Sequence, residues 1–176
     1  MDMAIPAWLT TPRLMLRPLG TGDADALHAL VVQPGVRRHL FDGGVLARAE
    51  AEAMAAESLR RFDACGAGLW AVYEIARAGR LAGIAGFWRF GNAGRRSSEE
   101  LVFALDESCW GCGLATEASG AVLGHVREAL GWRLARASVD EGNLASARTL
   151  ARLGFRECGQ SVRSGRVLRL FERPLP

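Results

Sequence analysis

Apolar and polar positions alternate along much of this chain, and the period of that alternation changes from segment to segment. Arg13-Leu14-Met15-Leu16-Arg17-Pro18 alternates with a period of two and predicts a first strand that Pro18 ends. Ala24 to Val32 places Ala24, Leu27, Leu30 and Val31 on one side, which predicts a short helix with Asp23 as its cap and Pro34-Gly35 as its stop. Ala47 to Phe62 predicts a longer helix, its inner stripe formed by Ala47, Ala51, Met54, Ala55, Leu59 and Phe62, and Gly66 and Gly68 close it. Leu69 to Ala76 and Arg80 to Phe90 read as a hairpin joined through Gly79. Gly83 and Gly86, inside the second of these strands, imply a bulge or a close backbone approach. Glu99 to Leu105 is a short apolar strand, and Leu114 to Leu130 returns to helical spacing.

The last third repeats the alternation of strand and helix. Arg133 to Val139 predicts a strand, Asp140 to Asn143 a turn, and Leu144 to Leu153 a helix capped by Asn143 and stopped by Gly154. Phe155 to Gln160 and Arg163 to Glu172 form a closing pair of strands. The Val36 to Val45 stretch, with Arg37, Arg38, His39 and Phe41, has no clear period; it reads as a loop or broken helix that covers a pocket. Antiparallel strands leading into a strand–helix–strand unit predict a mixed α/β sheet of about seven strands with helices on both faces. There is no linker, repeat or low-complexity tract, so residues 1–176 are expected to form one domain.

Composition narrows the function classes. The chain has 176 residues, of which 49% are apolar and 23% charged, an ordinary balance for a globular protein. The net charge of +3 is mild and spread along the sequence, which gives no basic face for nucleic acid. All 22 basic residues are arginine, so no lysine can serve as base, Schiff-base amine or phosphate clamp. No run of roughly 18 apolar residues predicts a membrane span, and no secretory leader is evident. The four cysteines, Cys65, Cys109, Cys112 and Cys158, do not form a disulfide framework, and a reduced, cytoplasmic setting is expected.

The stretch that most resembles a binding element is Cys109-Trp110-Gly111-Cys112-Gly113-Leu114-Ala115-Thr116-Glu117, which joins a predicted strand to a predicted helix. Two glycines let backbone approach a ligand closely, and the first N–H groups of the helix have no partner inside it. With the positive end of the helix dipole, they form an anion site suited to phosphate or pyrophosphate. The same spacing is also that of an ordinary strand-to-helix turn. Cys109-x-x-Cys112 at a helix start admits a redox reading, but zinc needs four ligands and no second pair lies nearby, so no metal is expected. Glu117, in the first helical turn, reads as structural; His28 and His125 read as packing or surface residues and His39 as a possible substrate contact.

Three segments together resemble the GNAT acetyltransferases, in particular the branch that acetylates ribosomal-protein N-termini. Thr11 to Pro18 is similar to that branch's opening strand, Trp110 to Ala118 to its acyl-CoA pyrophosphate loop, and Asn143 to Arg148, followed by Leu153-Gly154-Phe155, to its Asn-x-x-Ser helix. The resemblance implies the GNAT fold, with a mostly antiparallel twisted sheet that splays between the strands at Glu99–Leu105 and Arg133–Val139 to admit acetyl-CoA. It implies that the backbone of Trp110, Gly111, Cys112, Gly113, Leu114, Ala115 and Thr116 holds the pyrophosphate. Val102, Phe103 and Leu105 would pair with the pantetheine arm, Asn143 and Ser146 would lie near its far end, and Arg148 or Arg152 would reach the adenosine phosphates.

The implied activity is acetyl transfer from acetyl-CoA to a primary amine by direct attack in a ternary complex. The leading acceptor is a protein N-terminus; the alternatives are a small-molecule amine such as an amino acid, polyamine or antibiotic, or a non-catalytic acyl-CoA-binding module. Neither nucleic acid nor membrane is an expected partner, and the chain is expected to be a monomer or homodimer. An amine attacks only when neutral, so a base is required. Glu100 is the candidate, with Glu99 behind it, and a backbone N–H near Phe103 is the expected oxyanion donor. Many GNAT enzymes protonate the leaving thiolate with a tyrosine. Phe155 occupies the matching region here and the single tyrosine, Tyr73, lies on another strand, so Ser146 takes that role in this reading.

Overall fold

The computed structural model describes residues 8–40, 43–77, 79–90 and 99–176. Eight strands form one sheet in the order β1-β2-β3-β4-β5-β6-β8-β7. They are β1 (Leu9–Thr10), β2 (Leu14–Pro18), β3 (Leu69–Glu74), β4 (Leu81–Arg89), β5 (Glu99–Leu105), β6 (Leu134–Asp140), β7 (Arg156–Arg163) and β8 (Arg166–Pro174). The helices are α1 (Ala24–Val31), α2 (Pro34–Arg37), α3 (Arg48–Cys65), α4 (Leu114–Glu128) and α5 (Leu144–Arg152). The seven expected strands are all present, and β1 is the eighth. Every pairing is antiparallel except β5 with β6. Among the described residues, no helix is long and apolar enough to cross a membrane.

The alternation of the strands sorts the apolar residues to two cores. One face carries Leu101, Leu105, Ala135, Ala137, Val139 and Phe171 against Leu114, Ala118, Val122 and Val126 of α4 and Leu150 of α5. The other carries Leu69, Ala71, Ile84, Val102 and Ala104 against α1, α3 and Val36 of α2. Fully burying each Val, Leu, Ile or Phe among them contributes about 1.5–3 kcal/mol. Trp70 is buried where α3 ends, edge-on to Phe62 at 4.9 Å and to His125 at 5.4 Å. His125, read as packing or surface, is buried, with Nε2 3.1 Å from the carbonyl of Gly66.

Several local expectations change. α3 runs on to Cys65 before Gly66, left-handed at φ 71°, stops it. Its inner stripe includes Ser58 instead of Ala47, because the Ser58 hydroxyl accepts from Leu69 N at 2.9 Å and donates to Leu69 O at 3.2 Å, which removes the cost of burying it. Asp23 precedes α1 but does not cap it with its side chain. Its carboxylate instead accepts from Arg17, from Tyr73 and from Gly20 N. Burial pushes that carboxyl up, and the Arg17 and Gly20 donors outweigh burial and hold it below its usual value. Pro34-Gly35 stops α1 as expected but also opens α2, since proline suits the first helical position, where no N–H is needed. Phe41, Arg95 and Arg96 lie outside the described residues.

Candidate active site

β5 is held along its whole length on one side only. Its pairing with β4 runs from Arg89↔Glu99 to Gly83↔Leu105, whereas its pairing with β6 has the single register pair Glu100↔Arg136. β6 is likewise fully paired to β8 from Leu134↔Pro174 to Asp140↔Leu168. The two parallel strands therefore meet near Glu100 and diverge toward Leu105 and Asp140, which leaves the inner edge of β5 without a ladder partner past that point. An extended, amide-bearing arm can take those backbone groups as a strand would. β4 stays close to β5 because Gly83 is bare: a Cβ there would lie 2.3 Å from Ala104 O. On its other side, Gly86 lets β4 approach the start of β3, since a Cβ there would lie 2.1 Å from Gly68 O.

The chain leaves β5 through a tight turn. Asp106 accepts from Ser108 N at 3.0 Å, Gln33 Nε2 at 2.9 Å and Arg80 at 2.9 Å; led by the Ser108 hydroxyl, these donors hold its carboxyl well below the usual range. The Trp110 indole donates to Leu105 O at 2.8 Å, so the carbonyl at the end of β5 is engaged inside the protein. Gly111 (φ 76°) and Gly113 (φ 78°) are both left-handed, a conformation glycine adopts without strain. Gly113 is the residue before α4, and the N–H groups from Gly111 through Thr116 find no acceptor among the described residues. Unpartnered N–H groups at the start of a helix are what an anion cradle requires, and these lie at the open end of the splay.

Residues far away in sequence hold this cradle in place. Glu117, on the first turn of α4, accepts from the Thr11 hydroxyl at 2.6 Å, Arg13 N at 3.0 Å and Arg13 Nε at 2.6 Å. Arg13 Nη1 donates in turn to Cys112 O at 2.9 Å. Glu117 is thus a structural clamp, and Cys112 contributes its carbonyl. Cys112 is exposed, whereas Cys109 is buried, its thiol donating to Glu74 at 3.3 Å. Burial and Glu74 push the Cys109 thiol up, away from the thiolate that redox or metal chemistry uses. Among the described residues, no group of His, Cys, Asp and Glu is placed to hold a metal.

α5 lies beside α4. Asn143 caps it as predicted, its side-chain oxygen accepting from Ser146 N at 3.1 Å. Ser146 is half-buried on the first turn, while Arg148 and Arg152 are exposed and have no carboxylate partner among the described residues. Phe155 belongs to the core. Tyr73 is engaged elsewhere: its hydroxyl donates to Asp23 at 3.1 Å and accepts from Arg17 at 2.7 Å.

The two candidate acids point apart. Glu99 is ion-paired with Arg61 at 2.6 Å, and Arg89 lies 3.5 Å away. Glu100 lies on the face of Val102 and Ala104, and both its oxygens are engaged: Oε1 accepts from Arg163 at 2.9 Å and Oε2 from the Ser138 hydroxyl. Arg163 also lies 5.1 Å from the ring centre of Phe90. On the same face of β6 as Ser138, Asp140 accepts from Arg166 at 2.6 Å, and His39 Nδ1 lies 3.1 Å from the same oxygen.

The segment around α2 bridges the gap. Gln33 and Gly35 are tied to Asp106 and Glu107 beyond β5, while Arg38 O and His39 are tied to Arg166 and Asp140 at the far side. Its Pro34, Gly35, Arg37, Arg38 and Gly43 line an open depression of about 450 Å³. Of the stretch 36–45 expected to cover a pocket, Arg38 and His39 carry these ties among the described residues. Asp140, Arg163 and Arg166 carry no motif in the sequence; only the pairing of β6, β7 and β8 brings them to His39 and Glu100.

Comparison with known proteins supplies the family. The pattern of the acetyltransferase (GNAT) domain matches residues 13–156. A chain described as a GNAT-family acetyltransferase from Bordetella pertussis superposes with a TM-score of 0.82 at 27% identity, over 94% of this chain and 98% of that one. An acetyltransferase from Salmonella typhimurium that modifies the N-terminal serine of ribosomal protein L7/L12 gives 0.77 at 18% identity, over 98% and 99%. A ribosomal L7/L12 α-N-protein acetyltransferase in complex with coenzyme A gives 0.78 at 19%, over 97% of each chain. At these last two identities the likeness is one of fold. No curated protein matches the sequence. The matched span takes in the splayed strands, the Gly111–Thr116 cradle and the Asn143 helix, and the chain belongs to the GNAT family as an acetyl-CoA-dependent N-acetyltransferase.

Proposed function

We propose that this enzyme acetylates the N-terminal amine of a protein by direct attack, with acetyl-CoA seated in the splay between β5 and β6. The observation that carries the seat is the run of unpartnered N–H groups from Gly111 to Thr116 at the open end of two strands that share one register pair. That arrangement fits the cofactor: the cradle suits a pyrophosphate, and the free edge of β5 at Val102 and Phe103 suits the amides of the pantetheine arm. Arg148 and Arg152, exposed on α5 and without carboxylate partners among the described residues, suit the adenosine phosphates.

Bound there, acetyl-CoA supplies an acetyl thioester. The chain's own residues supply the rest. A backbone N–H near Phe103 on the free edge of β5 stabilises the oxyanion without reorganising. Ser146, on the first turn of the Asn143-capped helix, hydrogen-bonds the departing sulfur. The acceptor comes to the α2 side of the sheet, where Glu100, Ser138, Asp140, Arg163 and Arg166 form polar walls. A protein terminus, with its own backbone groups to satisfy, suits those walls, and the likeness in fold to enzymes that act on ribosomal-protein termini supports the same acceptor. The reading places the reaction in the cytoplasm.

The test is thiol release from acetyl-CoA with peptides that begin with serine or alanine, alongside a polyamine, free amino acids and an aminoglycoside. Turnover with the peptides and not the small amines is the expected result. Turnover confined to a small amine overturns the acceptor. Binding of acetyl-CoA with no turnover on any amine would leave a cofactor-binding module in place of an enzyme of this specificity.

A further inference from the structure

We propose that His39, oriented by Asp140, takes the proton from the acceptor amine, ahead of Glu100; the proposal rests on the acetyltransferase reading of the cleft. A base must have a bare lone pair facing the amine. Glu100 already shares its charge with the Arg163 guanidinium on one oxygen and the Ser138 hydroxyl on the other, and both donors favour the ionised carboxylate over its protonated form. His39 is arranged differently. Its Nδ1 lies 3.1 Å from an Asp140 oxygen, and a carboxylate only accepts, so in the neutral ring Nδ1 carries the hydrogen and Nε2 is the bare nitrogen. Nε2 has no hydrogen-bond partner among the described residues.

The position suits the role. Asp140 ends β6 at the wide end of the splay, on the same face as Ser138 and two residues beyond it, about 7 Å along the strand. His39 follows α2, whose start is tied to Glu107 through Gly35 N at 2.6 Å. The imidazole therefore lies over the gap on the face open to the acceptor, opposite the side of α4. The charged groups around it are Asp140 of β6, Arg166 of β8, which shares the same Asp140 oxygen at 2.6 Å, and Arg37 and Arg38 of its own segment.

In the step, the amine nitrogen's lone pair forms the new N–C bond and the nitrogen's surplus proton passes to Nε2 of His39. The C–S bond breaks with its electron pair left on sulfur, and the thiolate takes up a proton. The imidazolium, neutralised by Asp140, then gives its own proton to solvent.

Two variants and one spectroscopic measurement test the assignment. His39→Gln keeps an amide N–H for Asp140 and should lower kcat by about 10²–10⁴-fold on a serine-initiated peptide, with acetyl-CoA affinity unchanged within about twofold. The acid limb of kcat/KM due to the imidazole should vanish, leaving only that of the peptide amine, and imidazole in the buffer should restore turnover to His39→Ala. In ¹⁵N spectra of histidine-labelled protein without cofactor, His39 should show a protonated Nδ1 and a bare Nε2, and Asp140→Asn should disturb that tautomer. A wild-type pH profile and near wild-type rate in His39→Gln overturn the proposal while leaving the acetyltransferase reading intact. A bare Nδ1 also overturns it, as does equal loss of melting temperature and acetyl-CoA binding in His39→Gln and Asp140→Asn, which would make the pair a latch. Absence of wild-type turnover on any amine overturns both readings.

Discussion

Gly35 and Trp110 are packed so closely that a Cβ on Gly35 would lie 2.5 Å from the Cη2 atom of the indole. The same Cβ would come within 2.7 Å of Glu107 Oε1, which accepts the Gly35 N–H. The bare glycine is therefore what lets α2 lean on the turn after β5. Gly35→Ala should push α2 away from Trp110, at a cost of about 1–3 kcal/mol for overpacking. Because α2 also carries the His39 segment, we expect kcat on an amine acceptor to fall more than acetyl-CoA affinity does. Thermal melting with steady-state kinetics checks both, and unchanged stability with unchanged kcat would show that the contact is dispensable.

The cradle predicts an asymmetry between neighbours. Gly113 sits at φ 78°, where an L-residue costs about 1–2 kcal/mol and a β-branched one more. Cys112 is exposed, and the loop uses its carbonyl through Arg13. Gly113→Val should weaken acetyl-CoA by at least about tenfold, the equivalent of about 1.4 kcal/mol, whereas Cys112→Ala should stay within about twofold. Calorimetric titration with acetyl-CoA decides it; equal affinities in the two variants would mean that the backbone N–H groups are not the principal anion contacts.

What the sequence made legible follows from how local each signal is. The Asn143 cap and the Gly154 stop, left-handed at φ 82°, are written within one short segment, and α5 begins and ends as read. The cradle is equally local: two glycines between an apolar strand and a helical period. α2 was hidden because Pro34-Gly35 signals both the end of one helix and the start of another. Asp23 has the residue type of a cap, but Arg17 and Tyr73, from β2 and β3, draw its carboxylate away. The cluster of His39, Asp140, Arg163 and Arg166 comes from four elements and has no sequence period. The hairpin of β7 and β8 against β6 assembles it, and no reading of neighbours along the chain reaches that far.

Glu100 separates charge from proton transfer. Its carboxylate fixes Arg163 at 2.9 Å, and Arg163 in turn lies over Phe90. Glu100→Gln keeps one oxygen acceptor and removes the charge that holds the guanidinium. With His39 as base, this variant should retain the acid limb of the pH–rate profile while KM for the peptide rises by about tenfold and kcat falls less than that. Loss of the acid limb in Glu100→Gln, with His39→Gln unaffected, would return the base to Glu100.

Glu117 gives the fold an acid-sensitive clamp next to the cradle. Burial alone would raise its carboxyl, but the Thr11 hydroxyl, the Arg13 N–H groups and the Arg13 charge outweigh that and hold it below its ordinary value. An unfolded glutamate titrates near about 4.3. The folded value is the lower one, so the stabilisation is complete above the unfolded value and is lost as pH falls through the folded one. Protonation releases Arg13, and with it the tie from the residue before β2 to Cys112 O at the anion loop. Glu117→Gln keeps an oxygen for Thr11 and Arg13 N but removes the titration. The variant should melt lower than wild type at neutral pH, and its melting temperature should fall less steeply between pH 5 and 3, so that the two curves converge in acid. Parallel curves over that range would assign the acid sensitivity to another carboxylate, with Asp23 the next to examine, because Arg17 holds it low in the same sense.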